Sequence, residues 1–192
     1  KSDLEKFNYM EHPSNIAVAL DACEKAGVSR DKALRGMHKV QPDVGALIAW
    51  NLKIDNKKIR FVNGMAANDP VSTLQIWHFI MQRFDDIGDT CVFFNSREDR
   101  PSRTKQMIEL AFKVLKPNYF IIRGDKVQKI IDHLSSQSPK TRTSVINLED
   151  PLEMVIDSFK IIPQSTLIYA IGNQVGAGQK ILELVSELKS DG

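Results

Sequence analysis

From Ile59 onward the chain alternates five times between a short run of consecutive apolar residues and a longer segment whose apolar residues recur at helical spacing. Ile59–Asn63 precedes a helical pattern over 70–83, and Cys91–Phe94 one from Pro101 to Leu115. Tyr119–Ile122 leads to 126–134, Ser144–Asn147 to a helix opened by Asp150-Pro151, and Thr166–Ile171 to a last helix over about 177–189. Apolar runs of four to six residues without polar alternation are strands buried on both faces, which is the condition of a parallel sheet covered by helices. Strictly alternating strands and helices in turn require right-handed crossovers. The pattern therefore predicts a doubly wound α/β domain with a mainly parallel, Rossmann-like sheet. It has five strands, or six if Ala46–Ile54 is turned back by Asp55-Asn56-Lys57-Lys58 to pair with the first. Gln137–Thr143, rich in Ser, Pro and Thr, reads as a surface loop.

Ahead of this domain lies a helical appendage. His12-Pro13-Ser14-Asn15 opens a helix marked by Ile16, Val18, Ala19, Leu20 and Cys23, and Gly27 closes it. Ser29 caps a second, short helix with Ala33, Leu34 and Met37 on its apolar side, and Gln41-Pro42-Asp43 breaks the pattern. The expected division is a helical segment with linker over 1–45 and an α/β domain over 46–192. The polar start at Lys1 reads as a cut from a longer protein.

Net charge is only +2, so nothing electrostatic argues for nucleic acid. Cys23 and Cys91 each sit in an apolar segment and read as small buried hydrophobes; with four scattered histidines they offer no metal-ligand spacing. No apolar run approaches the roughly 20 residues needed to span a bilayer, so this stretch reads as soluble.

In a parallel sheet the loops that follow the strands share one edge, where ligands of open α/β folds bind. After the first strand come Asn63, Gly64, Asn68 and Asp69; Asp69 is a good helix cap and Pro70 suits the first helical position. After the second comes Asn95-Ser96-Arg97-Glu98-Asp99-Arg100-Pro101-Ser102-Arg103. Three arginines in seven residues form a fork-shaped donor set for carboxylates or phosphates, or else a solvated basic turn neutralised by Glu98 and Asp99. Arg123-Gly124-Asp125 follows the third strand. The fifth leads into Gly172-Asn173-Gln174-Val175-Gly176-Ala177-Gly178, either a phosphate-cradling turn or glycines for tight turning and close packing. There is no G-x-x-x-x-G-K-[ST] and no nucleophile elbow, so a complete catalytic centre is not expected within these residues.

Taken together, the segments resemble the carboxyl-terminal part of a Mur ligase-type enzyme, in the poly-γ-glutamate branch of that family. Asn15-Ile16-Ala17-Val18-Ala19-Leu20 is similar to the helix that ends the central ATPase domain, and Gln41–Leu47 to the linker after it. Phe61-Val62-Asn63-Gly64-Met65-Ala66-Ala67-Asn68-Asp69-Pro70 resembles the first strand and loop of the third domain. The pattern Asn-x-Arg-x-Asp-Arg-x-x-Arg over 95–103 and the glycines at 172, 176 and 178 resemble the same branch. The likeness extends over roughly residues 11–185. It departs from the general Mur pattern in three places. Asn63 stands where those enzymes carry Asp, Gly45-Ala46-Leu47 lacks the linker Arg, and Arg123-Gly124-Asp125 replaces Asp-Asn-Pro-Arg. The substrate of the peptidoglycan enzymes is accordingly not carried over.

The resemblance implies ATP-dependent ligation through an acyl phosphate, with ATP and Mg2+ used by the full-length enzyme and neither held by this stretch alone. It implies that Asn95, Arg97, Arg100, Arg103 and Asn173 bind the substrate. Asn63, Asn68 and Asp69, with Asn15 from the preceding helix, would face the nucleotide, and Gly172, Gly176 and Gly178 would be phosphate-loop candidates. Implied partners are glutamate, the poly-γ-glutamate chain and membrane subunits of a capsule synthase on the cytoplasmic side of the membrane, with an oligomer allowed. The competing reading is a non-catalytic Rossmann-like module that binds a nucleotide or a partner protein. A nicotinamide oxidoreductase fits less well, because no Gly-rich fingerprint follows the first strand.

Overall fold

The structure, a computed structural model, describes residues 9–11, 13–40, 46–67 and 69–190. The chain divides into two compact units, Lys1–Ala49 and Trp50–Gly192. In the first, helices α1 (Pro13–Lys25) and α2 (Arg30–Met37) pack through Ile16, Leu20 and Ala33, with Cys23, Val28, Leu34 and Met37 half-buried around them. Gly27 makes the turn between them in the left-handed region, φ 81°. Ser29 stands at the N-cap of α2 in extended conformation, but its hydroxyl makes no capping bond, so the expected cap is only half formed. The linker expected over Gln41–Gly45 lies outside the described residues.

The second unit is built on a six-stranded sheet in the order β1-β2-β6-β3-β4-β5, where β1 is Ile48–Ile54, β2 Lys57–Asn63, β3 Thr90–Asn95, β4 Tyr119–Arg123, β5 Arg142–Ile146 and β6 Leu167–Gly172. β2, β6, β3, β4 and β5 run parallel. β1 and β2 are joined by the two residues Asp55 and Asn56, both left-handed at φ 47° and 64°, as a tight hairpin requires. The outer side of β1 is covered where Leu52 bridges antiparallel to Lys189. The expected fold class, including the sixth strand, is what the chain adopts.

Side-chain alternation along the strands separates two cores. One face presents Phe61, Phe93, Ile121, Ile146, Ile168 and Ala170 to helices α6 (Glu153–Lys160) and α7 (Ala177–Ser186), through Val155, Phe159, Ile181, Leu182 and Val185. Phe159 is fully buried and meets Phe61 at 6.2 Å and Phe93 edge-on at 5.6 Å between ring centroids. The other face carries Tyr169 and Phe120. Against them pack α3 (Pro70–Arg83), through Trp77, and the helix that starts as α4 (Pro101–Leu110), through Phe112. α5 (Gln128–Gln137) completes the helices.

This arrangement positions the site. β3 hands the chain to α4 on one face, whereas its neighbour β6 hands it to α7 on the other. The loops diverge and leave a crevice at the carboxyl ends of the two strands, the switch point at which doubly wound sheets bind ligands.

Local boundaries differ from expectation for physical reasons. The helix expected as far as Leu115 changes to a π turn at Ala111–Leu115 and ends on Lys116, left-handed at φ 48°. α6 starts at Glu153, because the Asp150 carboxylate accepts from the Asn147 N–H at 2.7 Å and closes the turn before it instead of capping the helix. α5 runs two residues later at its start and three later at its end than the pattern suggested. α7 ends at Ser186, three residues short. β5 begins at Arg142, inside the stretch read as loop, because an edge strand tolerates the exposed Arg142 and Thr143. No helix among the described residues is long and apolar enough to cross a membrane.

Candidate functional site

The crevice between β3 and β6 opens as a narrow cleft lined by Asn95, Arg97, Arg100, Arg103, Gly172 and Asn173 from the expected set. Phe94, Ser96, Thr104 and Met107 complete its wall. These four escaped the sequence reading: Ser96 sat unremarked between two singled-out residues, and Thr104 and Met107 lie in the first and second turns of α4, where they read as ordinary helix positions.

The back of the cleft is a clamp between two strand ends. Asn95 closes β3 opposite Gly172, which closes β6. Gly172 turns the chain at φ 99°, and a Cβ there would lie 2.3 Å from the Asn95 carbonyl oxygen, so only glycine serves. The next residue then binds back. The Asn173 N–H donates to the Asn95 carbonyl at 2.8 Å, and the Asn95 amide Nδ2 donates to the Asn173 carbonyl at 2.7 Å. Asn173 Nδ2 donates to the Val175 carbonyl at 2.7 Å and folds the rest of the loop. Gly178, in the first turn of α7, is pressed against this pair: a Cβ there would stand 2.2 Å from the Asn173 carbonyl oxygen. Close packing accounts for Gly172 and Gly178. Gly176 adopts φ 70° at the N-cap of α7 with open space around it. Asn95 is only 1% exposed, yet its Oδ1 accepts from no described residue.

The front of the cleft is the arginine loop. Arg97 does not stand free. Its Nε and Nη2 donate to the two Asp99 carboxylate oxygens at 2.8 and 2.7 Å. The Arg97 bonds hold the Asp99 carboxyl below its ordinary range, and the same bonds raise Arg97. Glu98 pairs more loosely with Lys126 at 3.8 Å. Arg100 occupies the N-cap of α4, with Pro101 at the first helical position; it makes no ion pair within 4 Å among the described residues. No side chain caps this helix end; Arg100 lines the cleft, and its charge, after that of Arg97, helps hold the Asp99 carboxyl low.

The residues expected on the nucleotide side do not line this cleft. Asn63 is 3% exposed, and its Oδ1 accepts from the Met65 N–H at 3.2 Å, shaping the turn after β2. The Asp69 carboxylate caps α3 by accepting from the Ser72 and Val71 N–H groups at 3.0 Å each. The Ser72 bond leads in lowering its pKa, and the Arg103 charge adds a smaller part. Asn15 belongs to the first unit, where its Nδ2 donates to Glu11 at 2.6 Å. Asn68 lies outside the described residues. Beyond the cleft, Arg123 is buried at the end of β4: its Nη2 donates to the Leu148 carbonyl, and burial lowers its pKa against the opposing pull of Asp125 and Asp150. Among the described residues no three His, Cys, Asp or Glu side chains gather as metal donors.

Residues 50–188 match the family described as poly-gamma-glutamate synthase CapB C-terminal domain. The chain is 32% identical over 189 residues to the capsule biosynthesis protein CapB of Bacillus anthracis, a match covering 96% of this chain and 40% of that protein. To the PGA synthase CapB of Bacillus subtilis (strain 168) it is 29% identical over 187 residues, covering 97% of this chain and 47% of the relative. It thus spans less than half the length of these curated relatives. Among solved structures it is similar to MurF from Acinetobacter baumannii, with TM-score 0.66, 14% identity, and coverage of 93% of this chain and 39% of that one. MurF ligase from Thermotoga maritima, solved in complex with ADP, gives TM-score 0.57 at 12% identity, covering 90% and 37%. At these identities the structural likeness speaks to the fold.

Proposed function

The chain belongs to the poly-gamma-glutamate synthase CapB C-terminal domain family, and on that premise we propose that it is the amino-acid-binding part of an ATP-dependent ligase that joins glutamate to a growing poly-γ-glutamate chain. The observation that carries this reading is the gathering of Asn95, Arg97, Arg100, Arg103 and Asn173 around one cleft at the switch point of the sheet, with Arg100 in no ion pair within 4 Å among the described residues.

A guanidinium grips a carboxylate through two parallel hydrogen bonds, and a helix N-terminus adds backbone donors; together they fix a dicarboxylic amino acid in position and orientation. Positioning is the larger part of what such a domain supplies, because holding amine and acyl group in line replaces a bimolecular encounter. In the proposed reaction a carboxylate oxygen of the polymer's terminus bonds to the terminal phosphorus of ATP, the P–O bond to ADP breaks with ADP leaving, and an acyl phosphate forms. The glutamate amine nitrogen then bonds to the carboxyl carbon, the C–O bond to phosphate breaks, phosphate leaves with the electron pair, and the amine loses one proton. This chain carries no P-loop sequence, so phosphoryl transfer falls to an ATPase part preceding it, of which residues 1–45 are the tail. ATP and Mg2+ are assigned to that part as well. Asn63 and Asp69 are already committed to a turn and a helix cap. Membrane subunits of a capsule synthase are the proposed partners of the whole assembly.

Titration calorimetry with glutamate, ATP and short γ-glutamate oligomers tests the division of labour. Glutamate or its oligomers bind this chain, and the chain alone hydrolyses no ATP; hydrolysis by the chain alone contradicts the reading. Alanine at Arg97, Arg100 and Arg103 together abolishes ligation by the full-length enzyme, whereas a non-catalytic module leaves it intact.

A further inference from the structure

The β1–β2 hairpin at the edge of the sheet leaves two lysines without a counter-charge. Leu52 and Ile54 of β1, with Ile59 and Phe61 of β2, point into the core beneath α6 and α7, so Lys53, Lys58 and Arg60 point to the opposite face. The two-residue turn at Asp55-Asn56 sets Lys53 directly across from Lys58, with about 5 Å between their Cβ atoms, and like charges so opposed repel. Neither lysine makes an ion pair or a side-chain hydrogen bond among the described residues. Lys57, on the core side of the same strand, is by contrast spent on the Lys160 and Ile162 carbonyls at 2.6 and 3.1 Å.

The two lysines line a groove of about 540 Å³, bounded also by Arg60, by Asp86 beyond α3 and by Leu167 at the amino end of β6. Asp86 is the one acid among its described lining residues, and it is already taken. Arg60 Nη1 and Nη2 donate to its two carboxylate oxygens at 2.5 and 3.1 Å, and the same guanidinium lies over the Phe84 ring, 4.3 Å from its centroid. Lys53 and Lys58 therefore give the groove an unbalanced positive charge, and a ligand there is anionic. Groove and cleft are tied to one strand: β6 begins in the groove with Leu167 and ends in the cleft with Gly172. At about 3.3 Å per residue the two sites stand roughly 17 Å apart along it.

We infer that this groove binds the polycarboxylate product, holding poly-γ-glutamate through Lys53 and Lys58 behind the end that is being extended. The inference rests on the proposed ligation and adds to it a second, non-reacting contact for the polymer. A γ-glutamate chain carries a carboxylate on every residue, so two neighbouring ammonium groups meet negative charge in any register. Lysine, a flexible point charge rather than a rigid fork, fits a ligand that must slip forward after each addition. Anchoring the chain in the groove raises the effective concentration of its end near the cleft. A bound polycarboxylate also offsets the repulsion between Lys53 and Lys58 that the folded hairpin otherwise carries.

Lys53→Gln combined with Lys58→Gln neutralises the groove and keeps both aliphatic stems. The full-length enzyme is titrated calorimetrically with a long γ-glutamate oligomer at low ionic strength, with the cleft filled by saturating glutamate. The double variant binds the oligomer about fivefold more weakly, while its KM for glutamate stays within about twofold of the unaltered enzyme. It also releases shorter products per encounter, read by mass spectrometry. Melting separates a structural role: loss of a like-charge pair leaves the transition in place or raises it. A lower melting temperature, with glutamate and oligomer weakened alike, overturns the inference. Unchanged oligomer affinity in the double variant overturns it and leaves glutamate binding at the arginines standing. Binding of inorganic polyphosphate through these lysines, without binding of the oligomer, overturns it as well. Failure of the unaltered enzyme to ligate glutamate overturns the ligation reading and the inference with it.

Discussion

Arg97 and Asp99 close on each other across a single residue of chain, through two hydrogen bonds of 2.8 and 2.7 Å. A loop with three arginines thus presents fewer available cations than its sequence implies, and an incoming carboxylate must displace Asp99 before Arg97 can grip it. The pair is exposed at the mouth, where water and salt already weaken it, so displacement is feasible. Asp99→Asn removes the competing charge and keeps the shape. Glutamate binding tightens by a few fold, most clearly at low ionic strength, as read by titration. Weaker binding in this variant shows that Asp99 is needed to aim Arg97 rather than to occupy it.

Asp69 is a helix cap that the sequence made plain, and it links stability to pH. Asp69→Ala removes the acceptor for the Val71 and Ser72 N–H groups and costs about 1 kcal/mol in denaturant unfolding. Because the folded-state carboxyl is held below its unfolded value, its contribution is fully present above the unfolded pKa. It is lost as pH falls through the lower, folded value. Asp69→Asn keeps part of the cap, and the difference between it and the unaltered chain shrinks on acidification below about pH 4.

Phe159 holds the α6–α7 face together through Phe61 and Phe93. Phe159→Ala lowers unfolding free energy by about 3–5 kcal/mol, the usual range for deleting a fully buried aromatic. A cost below about 1 kcal/mol means that this face is not packed as described.

Cys91 is fully buried in β3, and burial pushes its thiol well above the ordinary range, whereas Cys23 is partly exposed in α1. In the folded chain a thiol reagent therefore labels Cys23 first, and Cys91 reacts only on unfolding. Mass spectrometry of the partly labelled protein distinguishes the two sites. Equal rates contradict the placement of β3 at the centre of the sheet.

Much of the fold was legible because consecutive apolar residues at Cys91–Phe94 and Tyr119–Ile122 have one stable solution, a strand covered on both faces. The edges were harder to read. Arg142 and Thr143 are polar because β5 borders solvent, so the strand looked like a loop. Asp150-Pro151 resembles a helix start, yet its carboxylate closes a turn. At the site, residue types on shared loops pointed to the right neighbourhood, since a parallel sheet brings Asn95, Arg100 and Asn173 to one edge. What spacing does not record is how polar atoms are spent within that neighbourhood. The pairing of Arg97 with Asp99, and of Asn95 with Asn173, brings donor and acceptor atoms within 2.7–2.8 Å, a proximity that only the folded loops define.

The central claim is that the β3–β6 cleft holds the incoming amino acid by its carboxylate, with Arg100 as the available cation. The direct measurement is steady-state ligation by the full-length enzyme carrying Arg100→Ala, with glutamate varied at saturating ATP. Loss of a charge-assisted pair worth about 1.5–3 kcal/mol predicts a fall of roughly 10- to 100-fold in kcat/KM for glutamate, with the KM for ATP unchanged. An unchanged kcat/KM for glutamate, or a loss confined to ATP, contradicts the account.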